Sequence, residues 1–361
     1  MSSPPARVAA AASNVIGKVF QGGVADLRPV PRVLIDQGPN RSVYRMSSGA
    51  RPAEGPPVLL VPPLAAPALC FDLRRGCSLS EHLVEAGRRT YLVDYGNVAF
   101  SDRRLGVEHW IDEVLPKAIQ RVSEDAGGQK VHVVAWCLGG IFSLLTTADR
   151  PELPVASIAT VAAPFDFTAI PLIAPFRPLV DFTGGHVLTP FYRALGGAPS
   201  YLVSRAFRIS GINKEITKPL AILKNLDDRD YLAQIEAVDH FMDNMIAYPG
   251  RTFGQMYHRF FRSNDLAEGS VDLNGRIISL TGVKVPTLVI AGADDSIAPQ
   301  AAVERLVTLL ENAPSVRFEV APGGHLGVLT GRKARGTTWR YLDEFLTQQI
   351  GNAEGENTVG R

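Results

Sequence analysis

Along the middle of the chain, short runs with nearly every position apolar alternate with longer stretches whose apolar residues recur every three or four positions. Residues 58–61, 131–136, 155–161 and 285–292 are runs of the first kind, rich in valine and other β-branched side chains, and 90–95 and 315–320 are further strand-like runs with polar positions among the apolar ones. They predict strands buried on both faces. Residues 78–86 predict a helix with Ser78 as cap, Glu81 closing a capping box and Gly87 ending it. Residues 110–124 have a helical period with Pro116 as a flaw. Strands alternating with helices of this length imply an α/β fold, a doubly wound and mostly parallel sheet.

Five spans follow from the pattern. Residues 1–54 read as a lead-in with an N-terminal helix and one or two edge strands, and 55–167 as the first part of the α/β core. From 168 to 280 the alternation stops. This span holds an apolar, proline-bearing stretch at 170–180 and helical periods at 235–246 and 253–261. An insertion there is expected to sit over the sheet as a cap. Most of its apolar residues are expected to make the cap's own core. Its further expected roles are a lid forming an apolar acyl tunnel and a dimer contact. Residues 281–348 read as the second part of the core. Residues 349–361, polar and glycine-bearing, predict a disordered tail.

The strand 131–136 runs into Cys137-Leu138-Gly139-Gly140 and then a helical segment, the layout of a nucleophile elbow with a thiol at its tip. Ala135 and Gly139, two before and two after, are small enough for strand and helix to approach. The helix beyond Cys137 aims the positive end of its dipole at the sulfur and supplies N–H donors for an oxyanion. A thiolate accepts and passes on acyl groups readily, and thioester chemistry suits it. Chain order in such a fold is nucleophile, acid, histidine. Asp295 follows the strand 285–292, and Asp294 beside it is read as a cap for the next helix. His325 lies in a glycine-rich loop after the strand 315–320. The other histidines, His82, His109, His132, His186, His240 and His258, do not complete that order. Cys137, Asp295 and His325 are therefore the expected catalytic set.

Composition changes this picture little. With 46% hydrophobic and 20% charged residues and a net charge of +1, the chain is globular in type and offers no field for nucleic acid. Three cysteines without framework spacing point to a reducing compartment, with Cys70 and Cys77 as packing residues. No run is long and apolar enough to span a bilayer, and residues 8–13 are weak as a signal peptide, so the reading is cytoplasmic. Neither a metal nor another cofactor is expected.

These residues resemble the polyhydroxyalkanoate synthases, α/β-hydrolase relatives with Cys for Ser in a lipase-like box, here Ala135-Trp136-Cys137-Leu138-Gly139-Gly140. The likeness extends to Leu60-Val61-Pro62-Pro63, Phe71-Asp72-Leu73, Val93-Asp94-Tyr95-Gly96, Tyr248-Pro249-Gly250, Asn264-Asp265-Leu266, Asp295-Ser296-Ile297-Ala298-Pro299 and Gly323-Gly324-His325. Two positions depart from the family pattern. Ala135 stands where the box opens with Gly, and Leu64-Ala65-Ala66 stands where an asparagine and an aromatic residue follow the proline pair.

The resemblance implies an acyltransferase that loads an acyl group from acyl-CoA onto Cys137 and passes it to a hydroxyl acceptor or growing polyester. The oxyanion would rest on backbone N–H groups of Leu138 and of Leu64 or Ala65, since Pro62 and Pro63 have none. It also implies polymer granules as a location, and a family in which a homodimer and a second subunit are common. The competing expectation is a thioesterase or esterase, for which Ser at the elbow is more usual. A non-catalytic granule protein is disfavoured by the intact Cys, Asp and His.

Overall fold

The computed structural model describes residues 4–20, 22–47, 55–171, 197–210 and 212–359. The apolar runs form one eight-stranded sheet: β1 (Arg32–Gly38), β2 (Arg41–Met46), β3 (Pro57–Val61), β4 (Arg89–Asp94), β5 (Val131–Trp136), β6 (Val155–Val161), β7 (Thr287–Gly292) and β8 (Val316–Ala321). Their order across the sheet is β1-β2-β4-β3-β5-β6-β7-β8. β2 is antiparallel to both its neighbours, and β3 to β8 all run parallel. Every residue of β5 and β7 is buried, which is why these segments lack polar alternation, whereas β1 at the edge is largely exposed. The chain leaves β3 toward β4 and leaves β5 toward β6. The two connections depart in opposite directions and open a crevice at the carboxyl ends of β3 and β5.

The flanking helices are α1 (Pro4–Phe20), α2 (Leu79–Glu85), α3 (Leu115–Asp125), α4 (Leu138–Asp149), α5 (Ser200–Ser210), α6 (Ile212–Lys224), α7 (Arg229–Asp243), α8 (Gly250–Gln255), α9 (Gln300–Leu309) and α10 (Thr338–Val359). Ser78 caps α2 by accepting the Glu81 N–H. The expected capping box is only half made, because the Glu81 carboxylate takes Arg75 and the Gly76 N–H instead of turning back to Ser78. Pro116 is tolerated near the start of α3. The wider π turn Trp110–Val114 just before it absorbs the missing N–H.

Between β6 and β7 the described chain runs through α5 to α8, and strand Gly197–Ala198 pairs with Tyr248–Pro249. A π turn, Met256–Arg262, and a hairpin of Ser270–Leu273 with Arg276–Ser279 complete the span. The expectation that its apolar residues chiefly form a core of their own is corrected here. Phe241, Met245, Met256 and Phe260 are buried in the same cluster as the sheet residues. A small separate cluster, Val24 with Leu232 and Ala233, ties the N-terminal segment to α7. Asn14 Nδ2 reinforces that tie by donating to Leu226 O at 2.8 Å. Residues 172–180 of the apolar stretch lie outside the described residues. In the stretch from 349 on, α10 continues to Val359, and residues 360–361 lie outside the described residues. Among the described residues no helix is long and apolar enough to cross a membrane.

Candidate active site

Cys137 occupies the turn between β5 and α4 with φ 52° and ψ −123°, a conformation that side-chain-bearing residues adopt only under constraint. Its N–H donates to Val161 O at 2.9 Å, and its carbonyl accepts from the N–H groups of Gly140 at 2.9 Å and Ile141 at 3.3 Å. The glycines that follow leave no room for a side chain. A Cβ on Gly139 would lie 2.5 Å from Val61 O and 2.6 Å from Pro62 O, and one on Gly140 would lie 2.9 Å from the Ala163 Cβ. The first turn of α4 thus rests directly on the backbone leaving β3. Ala135 is fully buried, in register with Val61 on β3 and Thr160 on β6. Cys137 is half-buried, while Cys70 and Cys77 are buried and burial pushes both of their thiols up.

Asp295 lies in the loop after β7. Its Oδ1 accepts from the N–H groups of Ile297 and Ala298, each at 2.9 Å, and its Oδ2 meets His325 Nδ1 at 2.8 Å. The carboxylate is wholly enclosed. Asp294 is exposed and does not cap the following helix, which corrects that reading. α9 begins behind Pro299 with no side-chain cap.

His325 comes from the loop after β8. Trp136, the residue before Cys137, donates from its indole nitrogen to His325 O at 3.1 Å, and the two rings stand 5.0 Å apart. Gly323 permits the loop's path, with φ 134° and with Val328 N 2.8 Å from where a Cβ would stand. Burial opposes the imidazolium, but negative charge on Asp295 and Cys137 and the hydrogen bond to Asp295 outweigh it. The His325 pKa is pushed up to about 10. Its Nε2 is buried and has no hydrogen-bond partner among the described residues. A thiol at a constrained turn with an imidazole oriented by a carboxylate is a set of groups that can serve acyl transfer.

Leu64 and Ala65, in the loop that leaves β3, are buried. Ala65 has φ 68°, and its carbonyl accepts the Ile246 N–H at 2.8 Å, so the insertion pins this loop. Tyr248 also reaches the site from the insertion. Burial first, then the charge at Cys137, hold its phenol above the ordinary range. Trp136, Ile246 and Tyr248 carry no local pattern that marks these roles. Only the adjacency of Trp136 to the nucleophile offered a hint.

The other histidines stand elsewhere. His132 pairs with Ser157, and burial pushes it down to about 4. His82 meets Asp343 and Trp339, and His109 meets Asn40. His186 lies outside the described residues.

The family profile of the α/β hydrolase fold matches residues 56–183. Over 308 residues the chain is 25% identical to the poly(3-hydroxyalkanoate) polymerase subunit of Allochromatium vinosum, covering 85% of this chain and 84% of that protein. It is 25% identical over 302 residues to the corresponding subunit of Cupriavidus necator, covering 81% of this chain but 50% of that longer one. The solved structure of mouse alpha/beta hydrolase domain-containing protein 10 superposes with a TM-score of 0.51 at 14% identity, covering 88% of this chain and 99% of that one, and so shares the fold.

Proposed function

Because this chain is an α/β-hydrolase-fold relative of the poly(3-hydroxyalkanoate) polymerase subunits, we propose that it is an acyltransferase that takes 3-hydroxyacyl groups from coenzyme A thioesters and passes them to a hydroxyl acceptor or a growing polyester. The observation that carries this reading is a cysteine at a constrained elbow beside a buried His325–Asp295 pair. Among such folds a thiol at this tip suits transfer from one thioester through another.

In the proposed cycle His325 Nε2 takes the Cys137 proton, while Asp295 holds Nδ1–H and stabilises the imidazolium without itself becoming protonated. Sγ attacks the thioester carbonyl. The oxyanion rests on backbone N–H groups of Leu138 and of Leu64 or Ala65. The tetrahedral adduct expels the CoA thiolate, which takes the proton from His325 and leaves as free thiol. His325 then removes the proton of an incoming 3-hydroxyl, whose oxygen attacks the acyl-enzyme, and Cys137 is released with one new ester bond formed. The chain's own residues supply the nucleophile, base and donors.

The test uses purified protein with 3-hydroxybutyryl-CoA. Released CoA is followed with a thiol reagent, and the acyl product is identified by mass spectrometry. Ester-linked oligomers, absent with Cys137→Ala, are the expected product. Free 3-hydroxy acid alone, still dependent on Cys137, would make the protein a thioesterase.

A further inference from the structure

The chain leaving β4 also emerges at the catalytic edge of the sheet. It forms a 3-10 turn, Phe100–Arg104. β4 is separated from β5 only by β3, so its end lies roughly 10 Å from the end of β5 at the usual spacing of strands. The turn is held firmly. Leu105 O accepts from both the N–H and the hydroxyl of Thr252, at 3.1 and 2.8 Å, and the Val107 N–H donates to Gln255 at 2.7 Å. It also packs against Tyr248–Pro249, the segment that brings Tyr248 to the Cys137 site.

Three side chains on this turn, Phe100, Arg103 and Arg104, are in contact with solvent. Phe100 is 60% exposed. The Arg103 guanidinium covers one face of its ring at 4.4 Å and donates to Phe100 O at 3.0 Å. Arg104 is exposed, and neither arginine has an ion-pair partner among the described residues. The carboxylates nearby are engaged elsewhere. Asp102 takes the Ala99 N–H, Asp94 takes the Gly96 N–H, and Glu108 is shared by Arg251, Gln255 and Asn274. The result is a rim with two guanidinium groups and one aromatic face, beside the carboxylates of Asp94 and Asp102, on a molecule whose overall charge is only +1.

We propose that Phe100, Arg103 and Arg104 form the subsite for the phosphorylated adenosine end of the thioester donor. The inference rests on the acyl-CoA reading above. A thioester bound at Cys137 must run its flexible arm out of the crevice, and its phosphates must stay near solvent, where desolvation costs little. Guanidinium groups match phosphate oxygens in geometry and charge, and an exposed ring offers a stacking face to the base. The subsite confers selectivity for a nucleotide-bearing carrier over the same acyl group on a bare pantetheine arm.

The test compares wild type with the Arg103→Ala/Arg104→Ala double variant and with Phe100→Ala, on 3-hydroxybutyryl-CoA and on 3-hydroxybutyryl-pantetheine. The double variant is expected to raise KM for the CoA ester about tenfold, as loss of one or two charge-assisted hydrogen bonds predicts. Its kcat and its KM for the pantetheine ester are expected to stay at wild-type values. An unchanged KM for the CoA ester, or an equal rise for both, overturns the subsite. Calorimetric titration with desulfo-CoA separates this from the acyltransfer reading, because it requires no turnover. Binding that weakens in the double variant supports the subsite even where no acyl transfer is seen. Wild-type protein that does not bind desulfo-CoA, or a double variant that binds it equally well, overturns the subsite whatever the reaction proves to be.

Discussion

On the nucleophile side of the crevice, Cys137 is fixed by backbone hydrogen bonds and by two glycines whose missing side chains let α4 rest on the end of β3. On the acid–base side, Asp295 and His325 come from two different loops and meet through one side-chain hydrogen bond, and the His325 loop is fastened to Trp136, 189 positions earlier. The first geometry is steric, backbone set against backbone. The second is polar, made by side chains. Damage to the first should therefore show as lost fold, and damage to the second as lost chemistry on an intact fold.

The sharpest way to break this contrast is Asp295→Asn. It keeps the shape but offers His325 the wrong partner, and kcat should fall by on the order of 10⁴-fold, as in other triads, with the far-ultraviolet circular dichroism unchanged. An unfolded variant would show that the acid side is structural as well. Gly139→Ala should do the opposite. A methyl 2.5 Å from Val61 O requires the backbone to move, with an expected loss of about 1–3 kcal/mol or more in denaturant titration and activity lost along with it.

The elevated pKa of His325 gives a third measure. With a folded value of about 10 against an ordinary 6.5, the folded protein holds a proton that the unfolded chain has released between those limits. The stabilisation is therefore complete below pH 6.5 and is lost as pH rises through about 10. The Tm difference between wild type and His325→Gln should be largest below pH 6.5 and shrink steadily toward pH 10. A difference that grows with pH would reverse the sign. The smallest effect is expected from Trp136→Phe, which removes the hydrogen bond to His325 O but keeps an apolar ring. About 1 kcal/mol should be lost, read as a roughly fivefold drop in kcat/KM with a small fall in Tm. An unchanged kcat/KM would show that the His325 loop does not depend on this tie.

The same contrast explains what could be read in the chain. The valine-rich runs of β3, β5 and β7 declare buried parallel strands because both their faces are apolar, and the elbow is a contiguous pattern. Asp295 and His325, whose side chains meet in the structure, are singled out in sequence by their order after strands, not by proximity. The insertion was less legible. Phe241 and Phe260 sit on helical periods that fit a separate cap core as well as the shared core they join, because periodicity reports which face is apolar and not what covers it. Glu81 met the capping-box spacing, yet Arg75, a partner of opposite charge nearby, took its carboxylate. Ile246 pins Ala65 through a backbone N–H, an interaction that any non-proline residue could make and that leaves no mark in sequence.

The central claim is that Cys137 carries the acyl group. The most direct measurement is intact-protein mass spectrometry after brief mixing with 3-hydroxybutyryl-CoA, followed by acid quench and peptide mapping. The account predicts a thioester-linked 3-hydroxybutyryl adduct on the peptide containing Cys137, absent in Cys137→Ala and slow to form in Asp295→Asn. Adduct on another residue, or full turnover by Cys137→Ala, would contradict it.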